Sequence, residues 1–214
     1  MWARLARLLR AAGCDVYTPS LTGIGERVHL ATAETDLSTH IHDVLNTLRY
    51  EALTDIVLVG HSYGGMVVTG VADQAPERVA TLVYLDAFVP QSGQALADLL
   101  SAEARAAMLS GSDWRIAPRT PQMQGMTDPD EIAWIAERRG FQPRKTFTQP
   151  LSVAGRYRGP RVYVYSGGYA PSSFTRFADT ARSDPAWTYH ELPTHHYPQV
   201  SMPRETAALL LKYA

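Results

Sequence analysis

The chain has 214 residues, 45% of them hydrophobic, and a formal net charge of -1, a length and balance that fit one domain able to bury a sizeable core. Its basic residues, nearly all Arg, are scattered among acids, which excludes the basic patch that nucleic acid requires. Cys14 is the only cysteine, which excludes an intrachain disulfide or a cysteine metal cluster and fits a cytoplasmic setting; the apolar runs are too short to cross a bilayer.

The opening "MWARLARLLRAAG" puts Trp2, Leu5, Leu8 and Leu9 on one helical face. With Arg4, Arg7 and Arg10 interrupting any continuous apolar stretch, it reads as an amphipathic helix rather than a targeting peptide. Gly13 ends that helix and "CDVYTPS" is expected to be a short strand closed by Pro19, followed by a loop marked by Gly23 and Gly25. From Asp36 the pattern is helical again, with Ile41, Val44, Leu45 and Leu48 on one side and Ser38 as the expected N-cap. "IVLVG" is an apolar run of the kind a parallel strand buried on both faces needs. "GGMVVTGVADQAP" then reads as helix up to Pro76, and "VATLVYLDAFVP", "RVYVYSGG" and "WTYHELP" as strands. A last helix is expected over "RETAALLLKYA". Alternating strands and helices predict an α/β domain with a mainly parallel sheet flanked by helices.

Residues 91–158 break this rhythm. Their helical pieces, "GQALADLLSAEARAAML" and "PDEIAWIAERRG", lie between two strands that should be neighbours, and the stretch is far longer than a crossover needs. The expected division is a core of 1–90 and 159–214 with a helical cap of 91–158 inserted after the strand that follows residue 62.

Gly60-His61-Ser62-Tyr63-Gly64 fits G-x-S-x-G and falls directly after a predicted strand and directly before a predicted helix, the context in which that pattern presents a serine nucleophile on a tight turn. The alternative, a phosphate-binding loop, needs a G-x-G-x-x-G spacing or a Gly-Lys-Ser end that is absent. A serine hydroxyl needs a base, and the base needs an acid. Downstream of Ser62 the histidines are His190, inside a predicted strand, and the pair His195 and His196, in the loop after it. Spacing alone leaves both members of the pair open.

"VYTPSLTGIGERVHL", "DLSTHIHDVLNTLRYEALTDIVLVGHSYGGMVV", "ERVATLVYLDAFVPQSGQ" and "LPTHHYPQVSMPRETAALLL" together resemble the α/β-hydrolase superfamily. The likeness is to the small esterases related to plant methyl esterases, hydroxynitrile lyases and bacterial pyrethroid-type or salicylate-type carboxylesterases. The family segment TGH-x-x-M-x-S-x-P, laid on "THHYPQVSMP", implies His196 as base and His195 as a pocket residue. Plant relatives carry an Asp just after the strand that here is "RVYVYS", but "GGYAPSSF" follows. The resemblance therefore implies Asp86, at the end of "TLVYLD", as the acid; Asp179 and Asp184 are alternatives, and a turn-capping role for Asp86 is the non-catalytic one.

The resemblance also implies an oxyanion hole with the Tyr63 N–H as one donor and the other in a loop before the first helix. That loop and a preceding strand, about two dozen residues by the same analogy, have no counterpart here. An upstream start codon, a shortened fold with "CDVYTPS" against "IVLVG", or a strand lent by another chain would each account for it. The expected activity is hydrolysis of a small hydrophobic carboxylic ester through an acyl-enzyme, without cofactor or metal. Its expected partner is a small-molecule ester, not nucleic acid or membrane, and a homodimer is compatible with the sequence. His61, Trp114, Met123, Met126, Trp134, Phe141, Phe147 and His195 are the expected pocket residues. Two rivals are a hydroxynitrile-lyase-like enzyme, marked in its family by a cap-side lysine for which Lys145 is the candidate, and a non-catalytic binding module.

Overall fold

The computed structural model describes residues 1–214, apart from the side chain of Met123. Helix α1 (Ala3–Ala11) is followed by α2 (Leu37–Tyr50), strand β1 (Ile56–Ser62), α3 (Gly64–Gln74) and β2 (Val79–Ala87). Between β2 and the next long strand lie α4 (Ala102–Leu109), the short strands β3 (Arg115–Ile116) and β4 (Gln142–Pro143), α5 (Pro129–Ala136) and α6 (Lys145–Thr148). The chain returns through β5 (Arg161–Ser166), α7 (Thr175–Ser183), β6 (Trp187–Leu192), α8 (Pro198–Ser201) and α9 (Pro203–Leu210).

Four strands form a parallel sheet in the order β1-β2-β5-β6. Because side chains alternate across a strand, the sheet sorts its residues into two layers. Val57, Val59, Val83, Leu85, Val162 and Val164 face α1 and α9, meeting Leu5, Leu209 and Leu210. Leu58, Leu82, Tyr84, Tyr163 and Tyr165 face the other way, toward α2, α3 and α7. Both faces are covered, as the unbroken apolar runs predict, and the C-terminal ends of β1, β2 and β5 meet at one rim.

Several boundaries differ from the expectation. Residues 14–20 form no ladder: a strand exists through its partners, and this segment is held instead by side chains, Arg10 to the Val16 carbonyl and Arg27 to the Ser20 carbonyl. Among the described residues β1 pairs only with β2, so its other edge is open. The N-cap of α2 is Asp36, whose Oδ1 accepts from the Thr39 N–H at 2.8 Å, whereas the Ser38 N–H and hydroxyl both bond Gln149. Helix α7 was not expected; its buried face is made of Ala178 and Ala181, too small to stand out as an apolar stripe. The expected last helix is α9, which ends at Leu210 rather than at Ala214 and is preceded by the separate short helix α8, broken from it at Met202 ahead of Pro203. No helix is long and apolar enough to cross a membrane among the described residues.

Candidate active site

The turn between β1 and α3 is set by two close approaches. A Cβ on Gly60 would lie 2.5 Å from Val68 Cγ2 and 2.7 Å from the Gly64 carbonyl oxygen, and one on Gly65 would lie 2.0 Å from the Phe88 carbonyl oxygen. Gly64, the flanking glycine of the five-residue motif, has open space instead, so the second crowded position is one residue later than the motif indicates. Ser62 sits between them at φ 56°, a left-handed conformation that a non-glycine residue holds only when its surroundings impose it.

From this turn a continuous line of hydrogen bonds crosses the sheet rim. Ser62 Oγ lies 2.9 Å from His196 Nε2, and His196 Nδ1 lies 2.7 Å from Asp86 Oδ2. A carboxylate can only accept, so Nδ1–H donates to Asp86 and Nε2 is left to accept from the serine hydroxyl. Asp86, also at positive φ (41°), is the penultimate residue of β2 and fully buried. Its Oδ1 accepts from the Ser166 N–H at 3.2 Å, and its Oδ2 also accepts from the Tyr169 hydroxyl at 3.1 Å. Burial pushes the Asp86 carboxyl above the usual carboxylate range, and the donors from Ser166 and Tyr169 oppose that shift. Burial, with the nearby Arg139 cation, holds His196 below the ordinary histidine range; at neutral pH it is an uncharged acceptor.

His196 is fixed on every side. Its ring stacks on Phe174 (4.7 Å between centroids, 8° between planes) and meets His61 at 4.5 Å. Its N–H donates to the Gln124 carbonyl at 3.2 Å, and its carbonyl accepts from His61 Nε2–H at 2.6 Å. Burial keeps His61 neutral by lowering its pKa to about 3. Beside Ser62, the Tyr63 N–H at the start of α3 meets no acceptor among the described residues, the condition for binding a developing oxyanion. The Tyr63 phenol is anchored away from the site, 2.9 Å from His40 Nδ1.

The expected pocket residues divide. His61 backs the base, and Phe147 packs on Tyr63 (5.8 Å between centroids) and faces the cleft. Phe141 also borders the cleft while packing edge-on against Trp114 at 5.5 Å. Trp114 itself is spent on that contact, with Arg115 over its ring. Met126 is buried with Ile135, Tyr197 and Val200, and Trp134 packs on the same cluster between Arg4 and Arg138. These three build the 91–158 region instead of walling the cleft. His195 is turned the other way as well: Nε2 donates to Glu131 Oε2 at 2.9 Å, and Nδ1 accepts the Tyr197 N–H. The side chain of Met123 lies outside the described residues. Of the other acids, Asp179 is exposed and pairs with Arg182, and Asp184 is half-buried and accepts from the Ala186 N–H; the carboxylate that bonds His196 is Asp86. Lys145 is half exposed and paired with Glu34.

The open cleft has a volume of about 3140 Å³. This exceeds the roughly 300–1,000 Å³ of small-molecule pockets because it continues from Ser62 along the free edge of β1 to residues 14–21. Near Ser62 its walls include Leu96, Leu99, Phe147 and Phe174. Tyr169, which bonds Asp86, and Phe174, which stacks on His196, lie in the loop after β5, where no local sequence pattern marks them.

Comparison with known proteins adds three findings. The Alpha/beta hydrolase family matches residues 1–209. A carbendazim hydrolyzing esterase of Nocardioides sp. (strain SG-4G) is 39% identical over 221 residues, 96% of this chain and 90% of the relative, and a pyrethroid hydrolase of Sphingobium wenxiniae is 34% identical over 89 residues, 40% of this chain and 30% of that protein. Among solved structures, an extracellular alpha/beta-hydrolase from a Paenibacillus species superposes with a TM-score of 0.83 at 22% identity, over 100% of this chain and 93% of that one.

Proposed function

Because the chain belongs to the alpha/beta hydrolase family and is a carboxylic ester hydrolase like its relatives, we propose that it hydrolyses small hydrophobic esters through a serine acyl-enzyme. The observation that carries this reading is the relay Ser62 Oγ to His196 Nε2 (2.9 Å) and His196 Nδ1 to Asp86 (2.7 Å), with the serine held at φ 56°. Ser62 Oγ attacks the ester carbonyl while His196 Nε2 takes its proton, and Asp86 stabilises the imidazolium that forms. The Tyr63 N–H receives the charge that develops on the carbonyl oxygen. His196 returns the proton to the departing alcohol, and a water repeats the sequence on the acyl-serine.

Residues 91–158 act as the cap over this rim in this reading, and the apolar walls at Leu96, Leu99 and Phe147 support a hydrophobic acyl or alcohol group. Lys145 is paired with Glu34 and is not among the cleft walls, so it lends no support to lyase chemistry at Ser62. Hydrolysis of p-nitrophenyl butyrate, and of carbendazim as the compound named for the Nocardioides relative, tests the proposal. Ser62→Ala should lower kcat by at least about 10⁴-fold; equal turnover by both proteins would remove Ser62 from the mechanism.

A further inference from the structure

The loop between β5 and α7, residues 167–174, contains no carboxylate, yet it reaches the acid. Tyr169 leans from this loop to place its hydroxyl 3.1 Å from Asp86 Oδ2, the same oxygen that takes the His196 Nδ1–H. The phenol is itself held. Ser172 Oγ donates to the Tyr169 oxygen at 3.2 Å, and the Phe174 N–H donates to Ser172 Oγ at 3.1 Å. Its ring lies where a side chain on residue 125 would be: a Cβ on Gly125 would fall 2.5 Å from the Tyr169 Cβ. Since an ionised carboxylate only accepts, the phenol must donate.

Resting on the acyl-enzyme reading, we propose that Tyr169 is a positioning residue for the acid: its hydroxyl orients the Asp86 carboxylate toward His196 and stabilises its anionic form. A carboxylate with one fixed donor could rotate and leave Nδ1–H poorly aligned. Two donors from β5 and its loop, the Ser166 N–H on Oδ1 and the Tyr169 hydroxyl on Oδ2, fix both oxygens and leave the His196 side of Oδ2 free. A charge-assisted bond is about twice as strong as a neutral one, so the hydroxyl acts on the carboxylate's charge as well as its direction. Burial raises the phenol pKa further, which keeps the donor protonated.

Removing the hydroxyl makes the Asp86–His196 pair easier to protonate, because the unprotonated pair carries the bare carboxylate charge that the phenol stabilises. The acidic limb of kcat/KM therefore moves to higher pH. The other groups facing the pair are His61 on β1, Tyr163 on β5, His195 and Tyr197 beside the base, and Arg119 and Arg139 from between β2 and β5; none is altered by the substitution.

The test is the pH profile of ester hydrolysis by the full chain, with wild type, Y169F, S172A, Y165F and S62A measured together. Tyr169→Phe keeps the ring against Gly125 and should raise the limb by about 0.5–1 pH unit, with kcat at pH 7 falling about tenfold and KM little changed. Ser172→Ala should move the limb the same way by less. Tyr165→Phe removes a phenol bonded to Thr175 on α7 and should leave the limb in place. A Y169F limb that coincides with wild type overturns the inference; if Y169F does not fold, an unmoved S172A limb does so. Full activity in S62A would instead sink the acyl-enzyme reading itself, whatever the Tyr169 result.

Discussion

Replacing Asp86 by Asn changes one atom at the junction of three donors. His196 Nδ1–H (2.7 Å), the Ser166 N–H (3.2 Å) and the Tyr169 hydroxyl (3.1 Å) all point at its two oxygens. Only the tyrosine can rotate its proton away, and the Ser166 N–H is fixed in the backbone. If the new amide keeps its oxygen toward Ser166, its NH₂ faces His196 Nδ1. The imidazole then carries its proton on Nε2, and Ser62 loses its acceptor. The opposite orientation sets NH₂ against the Ser166 N–H and strands buried donors, at about 1–3 kcal/mol each, so the first arrangement dominates. A reversed tautomer at such a site lowers kcat by about 10⁴-fold, or about 5 kcal/mol of transition-state stabilisation. The assay is kcat for p-nitrophenyl butyrate with wild type, D86N, D179N and D184N, thermal midpoints serving as the check on folding. D179N and D184N should match wild type. A folded D86N within about tenfold of wild type would refute the assignment of the acid and the tautomer argument with it.

Gly65→Ala would put a methyl 2.0 Å from the Phe88 carbonyl oxygen. Overpacking against backbone that cannot yield should cost about 3 kcal/mol and lower the thermal midpoint by roughly 10 °C; Gly64→Ala, into open space, should leave the midpoint nearly unchanged, and equal losses would contradict the packing account of the turn. The base must be neutral, and burial lowers the pKa of His196. The sign follows: burial disfavours the His196 cation and the Asp86 anion alike, so activity is full above the titration of the Asp86–His196 pair and is lost as pH falls through it, and kcat/KM should show one acidic limb. Activity that rises as pH falls from neutrality would count against a base that must be unprotonated.

What was readable in the chain follows the reach of each signal. The layered parallel sheet was legible because period and chain order act over short range: "IVLVG", "TLVYLD" and "RVYVYS" are apolar on both faces, as a doubly covered strand must be. The residues of the relay were legible for different reasons, Ser62 from its turn, His196 from the family segment, and Asp86 from the lack of any carboxylate after β5. Direction was not. Trp114, Met126 and Trp134 have the composition of a pocket wall, but composition does not say which way a ring turns: Trp114 packs on Phe141, and Met126 and Trp134 pack with Ile135, Tyr197 and Val200. Residues 14–20 carry strand-like residues without a partner strand, and propensity alone makes no ladder. His195 looked like a pocket residue because it adjoins His196, yet its ring turns to Glu131 instead. Tyr169 escaped notice because a hydroxyl that serves a carboxylate 83 residues away leaves no local pattern.

The most direct measurement is the site of covalent labelling by a serine-directed phosphonate, read by peptide mass spectrometry and by the structure of the adduct. The account predicts one phosphonyl group, on Ser62 Oγ, with His196 Nε2 within hydrogen-bond reach of it, and no labelling of S62A. A label on another residue, or undiminished labelling and turnover in S62A, would contradict it.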